Sequence, residues 1–338
     1  MLALLLVLSG APTPAVPASA PGYHVVKTLP VGGEGGWDYL AVDPSARRLY
    51  VSHATRVEVL DVDSGEKVGA FPDTNGVHGI AIAPDLHRGF VSNGRASTVT
   101  VFDLGNLKTV SEIKTTGENP DAILYDPETH RVFAFNGRSS NATAIDAATG
   151  TVAGTVTLDG KPEFAVRDGR GRVFVNIEDK SVIDVIDPRK LSVEKHWPLA
   201  PCEEPSGMAI DPKSHRLFVG CSNRMMALVD ADSGKVVTTV PIGEGVDANA
   251  FDPESGLAFA SCGDGTLTVA HEDSPDKLTV VQKVETRRGA RTMALDEKSH
   301  RLFLSTAQFG PPPSPTPDRP RPRPSVLPDT FVILVVGK

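Results

Sequence analysis

Seven copies of one short pattern run through this chain: a small or apolar residue, Asp-Pro, a few polar residues, then Arg–apolar–aromatic–apolar. The copies read AVDPSARRLYV from Ala41, AIAPDLHRGFV from Ala81, LYDPETHRVFA from Leu124 and VRDGRGRVFV from Val166. They continue as AIDPKSHRLFV from Ala209, AFDPESGLAFA from Ala250 and ALDEKSHRLFL from Ala294. The turn position holds Pro44, Pro84, Pro127, Gly169, Pro212, Pro253 and Glu297, at spacings of 40, 43, 42, 43, 41 and 44. The aromatics repeat in step as Tyr50, Phe90, Phe133, Phe174, Phe218, Phe259 and Phe303.

Each copy contains four short strand signals. A small, apolar strand leads into the Asp-Pro turn, where Pro presets φ and Asp caps the turn. The second strand carries the aromatic. The third alternates with period two, as in Arg56–Asp61 and Thr98–Asp103, and a turn such as Asp232-Ser233-Gly234 opens the fourth. Units of four strands over ~40–45 residues are propeller blades, so the fold expected is an all-β, seven-bladed β-propeller. Copy seven lacks an outer strand, with its first near Arg291–Asp296, its second near His300–Ser305 and its third at Thr330–Val336. Tyr23–Leu29 is a spare strand, so the N-terminal strand is expected to complete the last blade.

The organisation that follows is a signal peptide over 1–18, a short linker over 19–22 and one propeller over 23–338. A Pro-rich insertion over 308–328 interrupts blade seven. Leu2–Leu8 is a signal h-region, too short to span a bilayer, and Val16-Pro17-Ala18 offers a small-x-small cleavage site before Ser19. A periplasmic or secreted location is the expectation, with no membrane span. The 34 basic against 42 acidic residues leave a net charge of −8, which argues against bulk nucleic-acid binding.

The RLYVS and HRLFVG strands, the VxVxD strand after them and the SGKVV-type fourth strand resemble the YVTN-type β-propeller repeat family, and most of all its exported YncE-like members. The resemblance covers residues 23–338, with copies four and seven degenerate. It implies the fold firmly and an activity hardly at all. Similar seven-bladed rings include surface-layer modules, quinoprotein dehydrogenase chains, haem d1-handling proteins and lactonases.

The repeat also assigns residues to faces. Six residues before each turn position stand Asp38, His78, Asp121, Glu163, Ser206, Asp247 and Arg291, expected to ring one mouth of the central channel. Four carboxylates, a His, a Ser and an Arg converging there form the candidate binding ring. Such carboxylates could bind a divalent cation or supply a general base; strand starts at a wet mouth are also polar simply because they are solvated. Trp37 beside the ring could offer an apolar platform, and His53, Asn93 and Asn136 are expected to flank the same face.

Other features carry less. Gly32–Gly36 leads into a strand and lacks a P-loop Lys. His87, His130, His215 and His300 recur at one turn position of four blades, too far apart to share a metal. His271-Glu272-Asp273 ends a third strand at a hairpin. No spacing indicates zinc, covalent haem or a serine hydrolase. Cys202 and Cys221 project toward one face of blade five and are expected to form a disulfide, leaving Cys262 free. The three arginines of Arg319–Pro324 make a basic patch on the insertion, which reads as polyproline II.

The functional expectation is a monomeric exported scaffold that binds a small ligand or protein through one face. No catalytic residue, metal or cofactor is assigned beyond the divalent cation the ring could accept. The alternative is a lactonase-like hydrolase using Asp38, His78, Glu163 and Asp247, and a weaker one is a periplasmic helper of a redox or haem enzyme.

Overall fold

A computed structural model describes residues 22–314 and 324–338. The signal-peptide reading and the arginines at 319, 321 and 323 lie outside the described residues.

The Asp-Pro repeats become tight turns. Asp43 Oδ1 accepts the backbone N–H groups of Ser45 and Ala46 at 2.9 and 3.0 Å. Asp211 does the same for Lys213 and Ser214. In degenerate copy four, Asp168 holds Arg170 and Arg172, with Gly169 in place of Pro. The residue closing each turn has positive φ: Arg47, His87, His130, Gly171, His215, Gly256 and His300. This left-handed requirement explains the repeated histidines as turn residues, since His is among the few non-Gly types enriched there.

The strands assemble into seven sheets of four antiparallel strands, joined in chain order around a ring. Among the described residues the only helical pieces are two three-residue 3₁₀ turns, Pro84–Leu86 and Glu178–Lys180. Six blades are sequential. Blade seven is ordered His24–Pro30, Val332–Gly337, Arg301–Thr306, Met293–Asp296, so the N-terminal strand supplies its outer edge. Leu29 pairs with Ile333 and Thr28 with Leu334.

The repeated aromatics are buried, none more than 1% exposed, and sit with aliphatics in layers between blades. Arg47 ties the ends of the ring further. It is bidentate to Asp296 of blade seven and also bonds Asp63 of its own blade.

Cys202 and Cys221 form the expected disulfide, and Cys262 is free and buried. The bridge closes a loop with a sequence separation of 19. A Cys202→Ala/Cys221→Ala variant is expected to lose about 3 kcal/mol in denaturant unfolding at equilibrium. An unchanged unfolding midpoint would contradict a stabilising bridge.

Candidate functional site

The ring residues reach the mouth because the first strands are bulged. In blade one the register jumps between the Trp37–His53 and Leu40–Val51 pairs, leaving one extra residue around Asp38. The same jump occurs at Val77/Ile80, Pro120/Ile123, Pro162/Ala165, Pro205/Met208 and Val246/Ala248. A bulge bends a strand and re-aims its side chains; here it turns six of the seven ring positions into the channel.

A repeat position that sequence reasoning missed supports the bulges. Two residues after the aromatic stand Ser52, Ser92, Asn176, Ser261 and Ser305, all fully buried. Ser52 Oγ accepts from Asp38 N and donates to the Tyr39 carbonyl, both at 3.0 Å. Ser92 Oγ accepts from Gly79 N at 2.8 Å, and Asn176 donates to the Ser206 carbonyl at 2.7 Å. The signal was present as a polar residue in an otherwise apolar strand, repeated in five copies.

At the mouth the ring residues meet in three groups. His78 Nδ1 donates to Asp38 Oδ2 at 2.6 Å and lies 3.7 Å from Asp121 Oδ1. Arg291 Nη1 pairs with Asp247 Oδ2 at 2.6 Å, and Ser206 Oγ donates to Asp247 Oδ1 at 3.2 Å. Glu163 faces Lys161 Nζ at 3.3 Å, and Lys161 also pairs with Glu178. Donor atoms of Asp38, His78 and Asp121 all lie within 4.8 Å of one another, a spacing that could hold a metal ion. Of the seven expected residues, Asp38, His78 and Asp121 converge on one point, Ser206, Asp247 and Arg291 form a second contact group, and Glu163 pairs with Lys161.

Beneath them the channel is plugged. Tyr39 from blade one crosses to blade four, stacks on Phe164 with ring centres 5.6 Å apart, and donates to the Glu163 carbonyl at 3.5 Å. The equivalent positions elsewhere hold Gly79, Ala122, Gly207, Ala248 and Thr292, which leaves room for the two rings. Adding a Cβ at Gly207 would bring it within 2.6 Å of Asn249 N. The plug removes water from one side of the carboxyls.

That burial dominates their chemistry. It pushes Asp121 up to about 7, with the Asp38 charge adding and His78 opposing. It lifts Glu163 to about 8, with Asp121 adding and Lys161 opposing. Asp247 rises to about 6 by burial, against the pull of Arg291. Burial alone would lower His78, but its Asp38 hydrogen bond and the Asp121 charge outweigh it and raise the imidazole. Tyr39 is held well above its ordinary value by burial and the surrounding carboxylates.

These directions fix a sign. A carboxyl with a higher pKa folded than unfolded contributes stability that is complete below its unfolded pKa and lost as pH rises through the folded one. The mouth therefore weakens the fold progressively between about pH 4 and about pH 8. Glu163→Gln is expected to gain about 2–5 °C in Tm over the parent between about pH 5 and about pH 9. A pH-independent difference between the two melting curves would contradict this.

The expected flanking residues lie elsewhere. His53, Asn93 and Asn136 are fully buried inside their blades, because they point to the opposite side of the strand from the bulge-supporting position before them. Asn93 bonds Thr98 and Thr100, Asn136 bonds Asn141 and Thr143, and His53 stacks on Phe331 at 4.3 Å. Trp37 stacks on Phe331 at 5.4 Å and leaves one edge in a cavity. Arg95, Asn119 and Arg138, which sequence reasoning missed, border a cavity of about 420 Å³ that also contains Asp38 and His78.

Residues 55–164 match the family model "Lactonase, 7-bladed beta-propeller", which is less than half of the chain. The stretch holds His78, Asp121 and Glu163. No curated protein matches the chain. Among solved structures, hydrazine synthase of Kuenenia stuttgartiensis is 15% identical with a TM-score of 0.71, covering 84% of this chain and 96% of that one. A chain of the mitotic checkpoint complex is 17% identical, TM-score 0.75, covering 90% and 94%. The RRP9 WD40 repeats are 10% identical, TM-score 0.77, covering 92% and 97%. At such identities the likeness is one of fold, and it agrees with the seven-bladed ring.

Proposed function

We propose that this chain is an exported propeller that binds a small ligand at the channel mouth, with a divalent cation held by Asp38, His78 and Asp121. The observation that carries this reading is the convergence of those three donors within 4.8 Å, over a plugged channel. The imidazole beside two carboxylates suits Zn²⁺, and the two carboxylates also accept the harder Mn²⁺. Arg95 and Arg138 on the rim would then meet an anionic group of the bound ligand. Export is supported by the disulfide, which persists in oxidising compartments, and by the apolar Leu2–Leu8 stretch. The YVTN-type strands support a place near the YncE-like propellers.

Thermal unfolding with Mn²⁺, Zn²⁺ or Ca²⁺ tests the reading. A cation at 100 times its Kd is expected to add about 2.7 kcal/mol to the parent, and Asp121→Asn is expected to lose that gain. The reading fails if no cation shifts the transition, or if Asp121→Asn shifts equally.

A second reading is favoured by the 2.6 Å Asp38–His78 contact and by the lactonase-family match over residues 55–164. With Nδ1–H held by Asp38, His78 Nε2 would take a proton from water as it attacks a lactone carbonyl. The same proton would pass to the departing ring oxygen as the C–O bond breaks. Hydrolysis of simple and anionic lactones is expected to fall about 100-fold or more in His78→Ala. Turnover of no lactone, or turnover that survives His78→Ala, would remove this reading.

A further inference from the structure

A second cavity, of about 620 Å³, opens beside the mouth between blades six, seven and one. Its size falls within the range of small-molecule sites. The floor is backbone, from Gly36, Gly245 and Gly263, and a Cβ added at Gly36 would meet no atom within 4 Å. One wall is aromatic: Trp37 and Phe309 have ring centres 5.9 Å apart. Phe309 comes from the base of the blade-seven insertion, which is anchored by the Phe309–Val326 bridge and the hydrogen bonds from Gly310 N to Ser325 O and Leu327 N to Gln308 O.

The cavity carries two cations with different commitments. Arg291 is already paired with Asp247 at 2.6 Å. Arg288 lies with its guanidinium 5.6 Å from the Phe309 ring centre and has no carboxylate partner among the described residues. A flat glycine floor, an aromatic wall and one uncommitted guanidinium complement a flat apolar body that bears a single negative charge. A second negative charge would lie toward Asp247 and the other mouth carboxylates and be repelled.

We propose that this cavity is a binding site for an aromatic monoanion, a planar ring system carrying one carboxylate or sulfonate, with Arg288 taking the charge and Trp37 and Phe309 the ring. The site goes beyond the cation reading and does not depend on it, since none of Asp38, His78 and Asp121 lines this cavity.

The probe is 8-anilino-1-naphthalenesulfonate, titrated into the full chain under native conditions. Saturable one-to-one binding is expected, displaced by 2-naphthoate about tenfold better than by the uncharged 2-naphthylmethanol. Arg288→Ala removes an exposed side chain and leaves the fold intact, which its near-ultraviolet dichroism checks; it is expected to weaken binding about tenfold. The chain has two tryptophans, and Trp197 is buried against Phe174 in blade four. Quenching of tryptophan emission by the probe is therefore expected to persist in Trp197→Phe and vanish in Trp37→Phe. Asp121→Asn is expected to bind the probe like the parent, so loss of the cation reading would leave this one standing. Unchanged affinity in Arg288→Ala, equal displacement by the neutral alcohol, or quenching that follows Trp197 would overturn the proposal.

Discussion

A chain shortened to begin at Val31 is expected to lose cooperative unfolding and to aggregate. The deletion removes the outer strand of blade seven, His24–Pro30, which pairs with Val332–Gly337 along its length. It uncovers Leu334 and Val336, both fully buried in the complete ring, and leaves a hydrophobic strand with an unpaired edge. Tyr23 would go as well, and with it the edge-to-face contact to Phe259 at 5.2 Å that joins blade six to the closure. Together these losses approach the whole stability of an ordinary domain, about 5–15 kcal/mol. Adding a synthetic peptide of residues 22–31 should restore part of the transition by strand addition. A shortened chain that melts cooperatively at the parent temperature would show that the ring does not need this closure.

The second large effect concerns the plug. Tyr39→Ala is expected to cost about 3–4 kcal/mol, because truncation removes the ring that reaches across to Phe164 and leaves a void in its place. Tyr39→Phe keeps the stacking and should cost about 1 kcal/mol or less, since only the 3.5 Å hydrogen bond to Glu163 is lost. The alanine variant should also admit water beneath Asp121 and Glu163, whose high pKa values rest first on burial. Its loss of stability with rising pH should accordingly be shallower than the parent's. Urea unfolding of both variants at two pH values checks both effects; equal midpoints for Tyr39→Ala and Tyr39→Phe would mean that the plug carries no load.

The ring architecture was legible because the turn and the aromatic are both local: Asp43 with Pro44 makes a turn, and Tyr50 seven residues past Asp43 fills the gap to the next blade. The mouth was legible by counting, since every blade repeats the same strand. What stayed hidden depends on contacts between blades. Tyr39 and Phe164 occupy equivalent positions three blades apart, and only ring closure brings their rings together. Asn93 and Asn136 were misplaced for a different reason. The ends of the second strands were expected to flank the mouth, but the period of two turns these residues into their own blades and leaves the bulge to Ser52 and Ser92.

Anomalous diffraction from crystals soaked in Mn²⁺ shows whether the mouth holds a cation. One strong peak is expected between the carboxylates of Asp38 and Asp121 and the imidazole of His78, absent from the Asp121→Asn variant. A mouth without a peak, or a peak that persists in that variant, would contradict it.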